Sequence, residues 1–282
     1  MSTATADFIE RGYNNRAAVP DHPQWFARWA AESEVVRKRV DARLDLRYGS
    51  SPRQTLDVFA AAQPRGALLF IHGGYWRALD KSHHSFVAGP LVERGVSVAV
   101  MNYDLCPVVG IPQIVEECRQ AVAWLARHGA EHGMPAERIV VAGHSAGGHL
   151  VAMLFATDWT QYGVAPGILA AGAAISGVFD LEPLVQVSFN SDLRLDTKTA
   201  RAMSPINMSP KSTAPLLLAA GAMETSEFIR QTRLLWDGWP ANRPPGASAP
   251  LLIPDRHHFS VLSELGDPAS DLSRQIVGLI PG

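Results

Sequence analysis

Residues 141–150 read VAGHSAGGHL, so the hydroxyl of Ser145 stands between glycines where a β-branched run (Ile139, Val140, Val141) gives way to a helical pattern of Ala, Leu and Met. Gly143-His144-Ser145-Ala146-Gly147 has the form G-x-S-x-G. A serine on such a strand-to-helix turn sits on a strained corner with its hydroxyl exposed and the positive end of a helix dipole beside it. That setting suits a nucleophile for acyl transfer. A serine that only caps the helix is the alternative, and the presence or absence of chemical partners separates the two.

Acyl transfer needs backbone donors for an oxyanion, a base, and an acid that orients the base. His72-Gly73-Gly74-Tyr75-Trp76 ends an earlier apolar run, and its glycines allow a loop to approach an oxyanion closely. The expected donors are the N–H groups of Gly74, Tyr75 and Ala146, with Gly73 completing the oxyanion loop by permitting its turn. Downstream of Ser145 the chain holds two histidines, His257 and His258, in PDRHHFSVL just after the last apolar run. His258 is the expected base and His257 the alternative. Glu224 is the first carboxylate after PLLLAAGA and is the expected acid; Glu227 and Asp255 are the other candidates, Glu227 having the ordinary alternative role of meeting a helix dipole. No Cys or His follows the HisHis pair at ligand spacing, so neither a metal nor a cofactor is expected.

These residues must be carried by strands and helices in alternation. GALLFIHGG, VSVAVMNYD, RIVVAGHS, AAGAAISG, PLLLAAGA and PLLIPD are continuous apolar runs, the signature of strands buried on both faces in a parallel sheet. LDLRY and QTLDVF alternate and read as an edge hairpin. Helical periodicity is expected over Pro23–Val40, His83–Arg94, Ile111–His132, Ala146–Thr157, Glu227–Asp237 and Asp271–Leu279. The predicted class is α/β, a mostly parallel central sheet with helices on both faces. The chain 1–282 reads as one domain, with an N-terminal helical segment over about 1–45 and a cap or lid segment over about 178–208.

A formal charge of −2 offers no electrostatic footprint for nucleic acid or an anionic membrane, so a small molecule is the expected partner. Two cysteines, Cys106 and Cys118, are too few for a disulfide framework. The N-terminus lacks the basic start and apolar core of a secretory signal, and no apolar stretch is long enough to span a bilayer. A cytoplasmic protein is expected, and the chain alone leaves open whether it forms a homodimer.

Taken together, HGGYW at 72–76, NYDLCP at 102–107, GHSAGGHL at 143–150, ETSEFIRQ at 224–231 and HHFSVL at 257–262 resemble the arylformamidase (kynurenine formamidase) branch of the α/β-hydrolases, close to the hormone-sensitive-lipase-like esterases. The N-terminal YGSSPRQTLDVF is similar to that group as well. The resemblance implies Ser145 as nucleophile, His258 as base, His72–Trp76 as oxyanion loop and Glu224 at the acid position, where animal members carry Asp. Glu can serve as a triad acid, so the implied mechanism survives this departure. The implied reaction is hydrolysis of a formyl aryl amide such as N-formyl-L-kynurenine through an acyl-enzyme; a short-chain carboxylesterase or thioesterase with the same triad is the alternative. A non-catalytic ligand-binding homologue would have lost a triad member, and here all three are in place. Tyr75 and Trp76 are expected to narrow the acyl side, while Trp25, Trp29 or Tyr103 would face the leaving aryl group unless they pack into the core. Trp76 and Tyr103 are thus the expected substrate-binding residues.

Overall fold

The buried apolar runs assemble into one eight-stranded sheet in the computed structural model, which describes residues 3–281. Its strands are β1 (Ala42–Arg47), β2 (Thr55–Phe59), β3 (Gly66–Ile71), β4 (Val96–Met101), β5 (Ile139–His144), β6 (Leu169–Ile175), β7 (Leu216–Gly221) and β8 (Leu251–Ile253). They lie in the order β1-β2-β4-β3-β5-β6-β7-β8. β1 and β2 form the expected antiparallel hairpin at one edge, and β2 meets β4 antiparallel. All other pairings are parallel, so the segments that follow β3, β5, β7 and β8 gather at one edge of the layer.

Strand periodicity divides the core into two layers. Ala67, Leu69 and Ile71 of β3 and Ile139 and Val141 of β5 belong to one buried cluster; Leu68 and Phe70 of β3 and Val140 and Ala142 of β5 belong to the other. Successive side chains of a strand point to opposite faces, which is why these runs must be apolar throughout. The helices are α1 (Thr3–Tyr13), α2 (Asn15–Ala18), α3 (His22–Arg39), α4 (Ala88–Val92), α5 (Ile111–His128), α6 (Ala146–Phe155), α7 (Asn190–Leu193), α8 (Thr197–Ala202), α9 (Ser226–Gly238) and α10 (Asp271–Gly278). Tyr13 of α1 and most of the buried apolar residues of α5, α6 and α9 enter the first cluster. Trp29 and Val36 of α3, with residues of α4 and α10, enter the second.

The longer helices follow the apolar periodicity to within a few residues, but the stretch expected to be helical over His83–Arg94 does not. It begins as two 3₁₀ turns, Lys81–His83 and Ser85–Val87, and only Ala88–Val92 is α-helical. Pro90 explains the late start. A proline is tolerated in the first turn, where its missing N–H would have no intrahelical acceptor, and not in the third turn of a helix begun at His83. The stretch 178–208 folds as short pieces: a 3₁₀ turn over Glu182–Gln186, α7, α8 and a second 3₁₀ turn over Pro205–Asn207.

Candidate active site

The turn from β5 into α6 puts Ser145 at φ +57°, ψ −118°, a backbone conformation that L-residues rarely adopt. Such a turn requires its neighbours to be small. A Cβ on Gly147 would lie 2.0 Å from the carbonyl oxygen of Ile71, and one on Gly73 would lie 2.8 Å from that of His144. The glycines therefore let the end of β3 and its following loop close onto the elbow.

Ser145, His258 and Glu224 form one hydrogen-bonded chain. His258 Nε2 lies 3.0 Å from Ser145 Oγ, and its Nδ1 lies 2.7 Å from Glu224 Oε2. Because a carboxylate only accepts, the proton belongs on Nδ1 and Nε2 is left to accept from the serine. The other carboxylate oxygen, Oε1, accepts from Ser176 Oγ at 2.5 Å and from the Gly221 amide at 2.7 Å. All three residues of the chain are buried.

None of the three alternative partners forms a hydrogen bond with Ser145 or with the imidazole of His258. His257 turns its Nδ1 to the amides of Phe259 and Ser260 and packs edge-on against Trp25. Glu227 accepts from Tyr13 Oη and pairs with Arg230, and Asp255 is exposed. His144, which sequence reasoning passed over, makes a bond that local patterning does not reveal: its Nε2–H donates to the carbonyl of His258 at 2.8 Å. Burial and the neighbouring His258 hold its pKa well below the ordinary imidazole value, so it stays neutral. Ser176, at φ +53° after β6, was likewise missed.

The amides of Gly74, Tyr75 and Ala146 donate to no other protein group among the described residues. Ala146 is the first residue of α6, where an N–H has no intrahelical acceptor. Below them the loop is braced. Tyr103 stacks on His72 with ring centroids 4.4 Å apart and donates its hydroxyl to the His72 carbonyl at 2.8 Å. Trp76 packs edge-on against His149, 4.9 Å between centroids. These contacts correct the expectation that Trp76 and Tyr103 touch substrate. Both are fully buried and neither borders the cavity, because their rings fill the space beneath the loop.

That cavity measures about 390 Å³ and has Ser145 and His258 at its floor. Phe26, Trp29, Tyr75, Phe189 and Phe259 supply an aromatic wall, and Asn14, Asn15, Arg16 and Arg77 supply a polar one, with Ala17 beside them. Trp25 does not border it. The contribution of the N-terminal residues 14–17 was invisible in the sequence, since nothing local marks them as neighbours of Ser145. Tyr75 Oη donates to the Tyr13 carbonyl at 2.6 Å, and Thr225 Oγ1 to that of Gly12 at 2.7 Å, which ties α1 to the site.

A mostly parallel sheet with covered faces and a serine elbow at a strand end places the chain among the α/β-hydrolases, as a serine hydrolase. It is 30% identical over 253 residues to kynurenine formamidase of Drosophila melanogaster, a match spanning 86% of this chain and 82% of that protein. It is 28% identical over 257 residues to kynurenine formamidase of Salmo salar, across 88% of this chain and 85% of that one. The chain belongs to the kynurenine formamidase family. A family model described as BD-FAE matches residues 56–163. Among solved structures, a candidate thioesterase from a Silicibacter species superposes with a TM-score of 0.82 at 34% identity, covering 96% of this chain and 98% of that one. No helix among the described residues is long and apolar enough to cross a membrane.

Proposed function

We propose that this chain removes the formyl group from an aryl amide, with N-formyl-L-kynurenine as the type substrate. The observation that carries the reading is the Ser145–His258–Glu224 hydrogen-bond chain at the floor of an aromatic cavity, in a chain related over most of its length to kynurenine formamidases. Ser145 Oγ attacks the formyl carbon as His258 Nε2 takes its proton. The oxyanion is received by the Gly74, Tyr75 and Ala146 amides, with Gly73 shaping the loop. His258 then protonates the departing aniline nitrogen, and water repeats the sequence to release formate. Glu224 holds the imidazole in the required tautomer. An aniline is a better leaving group than an alkyl amine, so the reaction asks less of the acid than peptide hydrolysis does.

Within the same reading the chain is one domain, and the short helices over 178–208 serve as a cover that shapes the cavity through Ser188 and Phe189. It acts in the cytoplasm, in keeping with two buried, unpaired cysteines, and a homodimer is compatible with it. A second reading, a short-chain esterase or thioesterase, is favoured by the likeness to the candidate thioesterase structure. The two divide on kcat/KM for N-formyl-L-kynurenine and for 4-nitrophenyl acetate, each with Ser145→Ala as control. Fast, Ser145-dependent release of formate supports the formamidase; ester turnover without it leaves an esterase.

A further inference from the structure

The wall of the cavity carries polar groups that the protein leaves unpaired. Asn15 is only 3% exposed, and neither its Oδ1 nor its Nδ2 has a hydrogen-bond partner among the described residues. A buried carboxamide is costly to leave so, unless a ligand completes it. It borders the cavity that holds Ser145 and His258.

Its neighbour Arg16 stands at the exposed rim of the same cavity, with its guanidinium carbon 5.8 Å from the centroid of Phe26. Among the described residues no carboxylate forms an ion pair with it. Arg77, the other cation on this wall, differs: it pairs with Asp192 and lies over the ring of Phe189, 5.1 Å to the centroid. Arg16 is therefore the cation left without a counter-charge. Partial burial and the nearby Arg77 both disfavour its charged form, which a bound anion would relieve.

We propose that Arg16 and Asn15 form a subsite for the α-amino-acid end of the leaving group, with Arg16 taking the carboxylate and Asn15 completing its bonds with the carboxylate and ammonium. A guanidinium presents a planar fork that matches a carboxylate. A carboxamide offers both donor and acceptor, as a zwitterion requires. Phe26, Trp29 and Phe189 then enclose the ring between this end and the scissile bond. The inference rests on the proposed function only in taking the cavity over Ser145 as the acyl-substrate site. It adds that the site selects for a charged leaving group.

Two matched substrate pairs test it: N-formyl-L-kynurenine against uncharged 2′-formamidoacetophenone, and O-acetyl-L-tyrosine against 4-methylphenyl acetate. The wild type is expected to favour the amino-acid member of a pair by about tenfold or more in kcat/KM. Arg16→Gln is expected to erase that preference through KM and to leave the neutral member within about twofold, whereas Arg16→Lys restores part of it. Asn15→Leu should act in the same direction, but Arg16, being exposed, carries the test without threatening the fold. If neither formanilide is hydrolysed while the esters are, the formamidase reading fails and the ester pair alone decides the subsite. Equal loss on both members, or a preference that survives Arg16→Gln, overturns the proposal.

Discussion

At the floor of the cavity Ser145, Glu224 and His258 each follow the end of a parallel strand and are locked by short hydrogen bonds, whereas the wall above them draws part of its lining from short helices distant in the chain. Asn15 and Arg16 belong to a helix of 4 residues, and Phe189 directly precedes another of 4. The floor leaves the triad's polar atoms paired; the wall leaves Asn15 unpaired. A group that must move a proton on every turnover gains from being fixed beforehand. A group that recognises a ligand keeps its bonding capacity for that ligand. In the proposed reading the sheet carries the reaction, and the segments laid over it carry the choice of substrate.

The sharpest way to break this division is Ser145→Ala. It should lower kcat by about 10⁴-fold or more on formanilide and ester alike, with the melting temperature nearly unchanged. Activity within tenfold of wild type would remove the floor from the chemistry. Next in size is Gly147→Ala. The 2.0 Å approach of the new methyl to the Ile71 carbonyl cannot be relieved without moving β3 or α6, so urea unfolding should show a loss of at least about 3 kcal/mol. Arg16→Gln, on the wall, should stay within about 0.5 kcal/mol of wild type in the same assay.

Acid should loosen the floor through histidines packed around it. Burial lowers the pKa of His72 to about 4, of His84 to about 3 and of His149 to about 4, and holds His144 well below its ordinary value. The unfolded chain takes up these protons near pH 6.5 and the folded protein does not. Stability is therefore full above that pH and falls as pH drops toward the folded-state values, by up to about 1.4 kcal/mol per histidine per pH unit. Thermal unfolding at pH 7 and pH 5 checks this, and an unchanged melting temperature would contradict it.

His144→Leu sharpens the comparison from inside the floor. It removes the donor that holds the His258 carbonyl and should lower kcat about tenfold while KM stays constant, as expected of a residue that positions the base. The smallest kinetic effect is expected from Tyr75→Phe. It cuts the hydroxyl bond to the Tyr13 carbonyl, worth about 1 kcal/mol, and should raise KM two- to threefold by loosening the wall. A fall in kcat of the same size would mean that the two regions are not separable.

Most of the sheet was legible because its signals are local. Short apolar runs rich in β-branched residues and bounded by glycines suit strands covered on both faces, and G-x-S-x-G between such a run and a helix marks the elbow. Pro90 carried a local signal as well, and a stricter reading of first-turn proline would have shortened the helix expected over 83–94. His144 and Ser176 carried none. A histidine and a serine at strand ends are common, and their partners, His258 and Glu224, lie 114 and 48 residues away. Trp76 and Tyr103 misled for a related reason: a ring beside an oxyanion loop can face substrate or core, and composition does not say which.

The sequence by itself determined the strand and helix pattern, the elbow with its glycines, and the short set of hydroxyl, imidazole and carboxylate groups able to act on an acyl carbon, because these follow from steric and hydrophobic rules acting over a few residues. Only the tertiary structure decided that His258 rather than His257 faces Ser145, that Trp76 and Tyr103 lie beneath the loop, and that residues 14–17 come to rest over the nucleophile. Those placements depend on how distant segments pack once the sheet has formed, and packing between segments separated by tens of residues to more than a hundred leaves no periodic trace in either.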